Sequence, residues 1–145
     1  MAAPYTTWLP VDAGADVWDL LPAPHQQLRA LQASFVRAGL DPGLLESCRT
    51  HMDALVGGRP SPVTVNGSMS DVERAAVGFA EQFVLDPRGV TDAQAEELHR
   101  LFADPQLAAL TTAVATFDAV ARVTAVLADP AGTPARVDVP LDEEV

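Results

Sequence analysis

Residues 40–62, from Leu40 to Pro62, read LDPGLLESCRTHMDALVGGRPSP, and the spacing inside this stretch sets the fold class. Asp41 suits a helix N-cap and Pro42 the first helical position, because a short acceptor satisfies an orphan N–H and Pro has none to lose. Leu44, Leu45, Cys48, Met52, Leu55 and Val56 then recur at three- and four-residue steps, and Gly57-Gly58 supply the left-handed backbone that ends helices. The pattern predicts an amphipathic helix of about four turns, with Leu40 and Leu45 as a hydrophobic staple across its start. The same stretch holds the chain's only Cys and one of its three His.

The same reading, extended outward, gives helices on both sides. Upstream, Leu28, Leu31, Phe35 and Val36 form one helical face between Pro24 and Ala38, with Gly39 as the stop. The short turn to the next helix predicts antiparallel packing of the two. Downstream, Gly, Pro and Asn crowd residues 57–67, so 57–69 reads as a loop in which Val63 and Val65 alternate without a partner strand. Ser70-Asp71-Val72-Glu73 reads as a capping box ahead of a stripe of Val72, Ala76, Phe79, Ala80 and Phe83. Thr91-Asp92-Ala93-Gln94 repeats that logic for a shorter stripe of Ala95, Leu98, Leu101 and Phe102. Asp104-Pro105 opens a last helix running to Leu127, with Leu107, Leu110, Val114, Phe117, Val120, Ala121 and Val126 near one side. Between Leu107 and Leu127 only Asp118 and Arg122 are charged, and they stand four apart, where they can pair. Helices apolar over most of their circumference are covered by their own fold or by another subunit.

The expected architecture is an all-α, single-domain bundle of about five main helices over residues 1–145, with an irregular arm over 1–23 and an acidic tail over 131–145. The arm carries Tyr5, Trp8 and Trp18, aromatics that need something to cover.

Composition narrows the function classes. Nine basic residues, all Arg, face 20 acidic ones, a net charge of −11 that repels nucleic acid and anionic membranes. Absence of Lys removes Schiff-base chemistry. One Cys makes no internal disulfide, no uninterrupted apolar run reaches about 18 residues, and residues 1–16 show neither a basic region nor an apolar run. A cytoplasmic protein without a membrane span is the expectation.

The candidate chemistry sits on the opening helix. Glu46 reaches Arg49 and Thr50, and Arg49 reaches Asp53, which on spacing is a surface ion-pair ladder. Read functionally, Glu46, Arg49 and His51 offer an acid, an anion-binding fork and a base. Cys48 lies on the apolar stripe, the place of an inert buried thiol, since a reactive one needs exposure and a nearby cation. No His-x-x-x-His or Glu-x-x-His pair exists, so no metal site is expected, and no phosphate loop or nucleotide fingerprint implies a cofactor.

Two segments resemble the carboxymuconolactone decarboxylase and alkylhydroperoxidase D family of all-α proteins. GLDPGLLESCRTHMDALVGG is similar to that family's Glu-bearing helix, with Glu46 at the Glu position. SDVERAAVGFAEQFVLDPRGVTDAQAEELHRLFADPQLAALTTAVATFDAVARVTAVL is similar to its closing three helices, including Glu73-Arg74-Ala75 and the Asp118 to Arg122 region. Together they cover roughly the C-terminal two-thirds of the chain. The resemblance implies a homo-oligomer, a trimer or hexamer built through the helices. Peroxidase members carry a Cys-x-x-Cys pair and a His after the Glu; counted from Glu46 these positions fall on Gly58, Ser61 and Val65, which lack the redox groups. The loop over 59–69 also stands where the family places the Cys-bearing helix and one more. A degenerate member without dithiol peroxidase activity, serving as a binding or structural scaffold with an unknown small-molecule ligand, is what this implies. The alternative it leaves is an enzyme, either lactone- or acid-processing through Glu46 and His51 or a one-Cys peroxidase through Cys48.

Overall fold

The helices over 42–56, 71–85 and 92–101 start where a side chain takes over an orphan backbone donor. The computed structural model describes residues 22–63 and 68–127 and contains α1 (Pro22–Arg37), α2 (Pro42–Val56), α3 (Asp71–Leu85), a 3₁₀ turn (Pro87–Gly89), α4 (Asp92–Leu101) and α5 (Asp104–Leu127). The fold is an all-α bundle of five helices, with no strand among the described residues. The aromatic arm residues, the acidic tail and Val65 lie outside the described residues.

At the start of α2 Asp41 accepts from the Leu44 N–H at 3.0 Å, and Leu40 and Leu45 are both buried, as a staple requires. The far end closes in a Schellman pattern: Gly58 N–H donates to the Leu55 carbonyl and Arg59 N–H to that of Ala54. Only Gly58, at φ +66, takes the left-handed turn; Gly57 stays in the right-handed region at φ −79. Thr91 and Gln94 form a complete capping box on α4. On α3 Ser70 caps the Glu73 N–H, while the Glu73 carboxylate is turned across to α2, where it accepts from Ser47 Oγ at 2.8 Å.

The core lies where α2 meets α3 and α5. Leu45, Cys48 and Met52 from α2, Ala76 and Ala80 from α3, and Leu110 and Val114 from α5 are completely or almost completely buried. Each large apolar side chain so covered contributes about 1.5–3 kcal/mol relative to exposure. Two expectations need correction. α1 lies chiefly against α5, not in an antiparallel pair with α2. A short turn constrains how far apart two helices can start, not which neighbour offers the apolar groove. Gln106 fixes that geometry: it donates to the Gly39 carbonyl at the end of α1 and accepts from Ala103 N–H at the start of α5. Leu31, Val72 and Val126, read as stripe residues, are exposed, because each lies at the margin of its stripe where the neighbouring helices no longer reach.

Arg122 pairs with Asp118 at 2.9 Å, as the spacing predicts, and also donates to the Val84 carbonyl in the last turn of α3. By length and composition α5 is long and apolar enough to cross a membrane, although Thr111, Thr112 and Thr116 break its apolar run.

Candidate functional site

Helix α2 carries two polar clusters that face different ways. On its outer side Arg49 donates to Glu46 at 2.6 Å and to Asp53 at 3.2 Å, and Thr50 donates to Glu46 at 3.3 Å. Glu46 is exposed, so this is the ion-pair ladder that the spacing predicts. Burial raises the Asp53 carboxyl above its ordinary value, partly offset by the guanidinium groups of Arg49 and Arg59.

His51 is turned inward and only 2 % exposed. Its Nδ1 lies 2.6 Å from Ser61 Oγ and its Nε2 2.9 Å from Glu81 Oε2. A carboxylate oxygen only accepts, so Nε2 carries a proton, and a neutral ring then accepts the Ser61 hydroxyl proton at Nδ1. Val63 N–H donates to the same Ser61 oxygen at 3.3 Å. Three segments meet here: α2 supplies the ring, α3 the carboxylate, and the loop after α2 the hydroxyl. The Schellman turn at Gly58 brings that loop back toward the helix it has just left.

Glu46 and His51 therefore engage separate partners. Five residues turn a helix by about 140°, and the acid and the base of the sequence reading point away from each other. Cys48 is buried, and burial, with the Glu73 carboxylate adding to it, pushes its thiol up from 9.0 to about 12. Such a thiol stays protonated at neutral pH and supplies no nucleophilic thiolate. Gly58 and Ser61, the two degenerate redox positions, have different fates: Gly58 turns the backbone, and Ser61 bonds to the buried His51 ring, whose other partner Glu81 is half-exposed.

Sequence reasoning found His51 but neither the Ser61 hydroxyl as its partner nor Glu81. A signal for Glu81 was present, since it is the single charged residue in the run AAVGFAEQFVL over 75–85. No group of three or more His, Cys, Asp or Glu able to hold a metal ion occurs among the described residues.

Two surface depressions lie elsewhere. One, of about 550 Å³, runs between α1 and α5 past Leu28, Leu31, Ala115, Ala119, Val120 and Val123. A smaller one of about 180 Å³ lies between α3 and α4, past Arg74, Gly78 and Glu97. Neither is lined by Glu46, Arg49 or His51. Comparison of the chain with protein-family models, with curated proteins and with solved structures gives no match.

Proposed function

We propose that this chain is a relative of the carboxymuconolactone decarboxylase and alkylhydroperoxidase D proteins that has lost dithiol chemistry and works as a self-associating binding or structural scaffold. The observation that carries the reading is the outward face of α5. Ala115, Ala119, Val123 and Val126 are exposed along a helix of 24 residues, about 36 Å long. The Thr hydroxyls on this helix are satisfied internally, Thr111 donating to the Leu107 carbonyl, Thr112 to that of Ala108 and Thr116 to that of Thr112. Their methyl groups are what remain for a neighbour. Leu28 and Leu31 of α1 border the same groove.

A second copy suits this strip for two physical reasons. Small residues let helices approach closely, and the segment over 107–127 bears only the mutually paired Asp118 and Arg122. On a body of net charge −11, an almost charge-free strip is where two identical chains meet with least repulsion. Insertion in a bilayer fits less well, because Leu110, Val114 and Phe117 on the other side of α5 are already buried in the core.

Light scattering coupled to size exclusion tests this, with a mass of two or more chains expected. Ala119→Arg should give a monomer of unchanged helical content, since Ala119 is exposed in the isolated chain. A wild-type monomer, or co-flotation of the chain with neutral phosphatidylcholine vesicles, would overturn the reading.

A further inference from the structure

The cluster of Ser61, His51 and Glu81 has an arrangement that scaffolding does not require. We propose that Ser61 is a nucleophile activated by His51 as general base, with Glu81 positioning the ring, and that the site accepts small acyl or phosphonyl electrophiles. Nucleophilic catalysis by a hydroxyl needs a base within hydrogen-bond reach and a third group that orients the base. Here the hydroxyl lies 2.6 Å from one ring nitrogen and the carboxylate 2.9 Å from the other. The ring is 2 % exposed, so its tautomer is set by these two partners. Val63 N–H donates to Ser61 Oγ and helps hold that oxygen beside Nδ1. A buried imidazole needs a partner on each nitrogen; here the two partners are a hydroxyl and a carboxylate, the order in which a proton can pass from the hydroxyl to the ring.

The chemistry balances with an ester and water. Ser61 Oγ attacks the carbonyl carbon, its proton passes to His51 Nδ1, and an Oγ–C bond forms. The C–O bond to the leaving alcohol breaks, and that alkoxide takes the proton back from Nδ1. Water then repeats the attack: its proton goes to Nδ1, the Oγ–C bond breaks, the acid departs and Ser61 regains its proton. Access sets the substrate class. Ser61 is 9 % exposed, while its loop neighbours Arg59, Pro60 and Pro62 are exposed, so a short, unbranched group is the class proposed.

The test uses the full chain with a small fluorophosphonate, read by intact mass and peptide mapping, and with p-nitrophenyl acetate, read by release of nitrophenolate. Labelling is expected at Ser61, absent from Ser61→Ala, slowed by at least about a hundredfold in His51→Gln and lost in urea. Circular dichroism checks that His51→Gln folds. Should it not, Glu81→Gln decides, because its amide can donate to Nε2 and so misplace the ring proton; a slowing of at least about tenfold is expected. No adduct at Ser61 in the folded wild type, or equal labelling in urea, would overturn the proposal. So would equal labelling in the folded variant.

Discussion

Two faces of one helix hold polar clusters of very different consequence. The outer face of α2 carries Glu46, Arg49 and Asp53 at the three- and four-residue spacing that any helix allows. The inner face carries His51, whose partners stand 10 and 30 residues away. In the ladder each charge keeps contact with water, and its pairs repay little more than the entropy of holding long side chains still. In the inner cluster the ring is out of water, so each lost partner leaves a polar atom unsatisfied. The difference teaches that spacing along a helix finds the cluster that matters least.

The largest effect expected is that of His51→Ala, which removes a buried ring and the common partner of Ser61 and Glu81. Urea unfolding should show a loss of about 2–4 kcal/mol. A loss below about 1 kcal/mol would mean that the inner cluster is as slack as the outer one, and the comparison would fail. Next comes Glu81→Ala, which leaves the buried Nε2 without its acceptor at an expected cost of about 1–3 kcal/mol by the same measurement. Arg49→Ala, the matching deletion on the outer face, should cost less than about 1 kcal/mol, and less again in high salt. A larger loss would show the ladder to be more than a surface feature.

These contrasts also mark what the sequence could reveal. Helix starts at Asp41, Ser70 and Thr91 and the stop at Gly39 were legible because capping is a local contract between residues a few positions apart. Burial of Cys48 was legible for a similar reason, since its stripe repeats at helical spacing. Ser61 was visible only as a position where a thiol was expected, and Glu81 only as a polar residue on an amphipathic helix. Their meeting at His51 depends on how α3 crosses α2 and how the loop after Gly58 returns, and neither follows from periodicity. The outer face of α5 is ambiguous for another reason: a helix apolar nearly all round gives no phase, so the sequence places Val126 near the apolar side while it lies at the surface.

The smallest effect belongs to Asp53, and its sign is the informative part. Burial raises its folded-state carboxyl above 3.8, and the guanidinium groups of Arg49 and Arg59 do not fully reverse that rise. The folded chain then holds this proton more tightly than the unfolded chain does. The contribution of Asp53 to stability is therefore fully present below its unfolded value and declines as pH rises through the raised one. Carboxylates with lowered values do the opposite, so the two kinds partly cancel in the whole protein. Comparing urea midpoints of wild type and Asp53→Asn from about pH 3 upward isolates the term. The variant should gain relative to wild type as pH rises past 3.8, by a small margin because Asp53 is partly exposed and its charge is screened. A variant that instead loses ground over that interval would show that the pair with Arg49 outweighs the burial of Asp53, and the outer face of α2 would then hold more stability than a solvated ladder can supply.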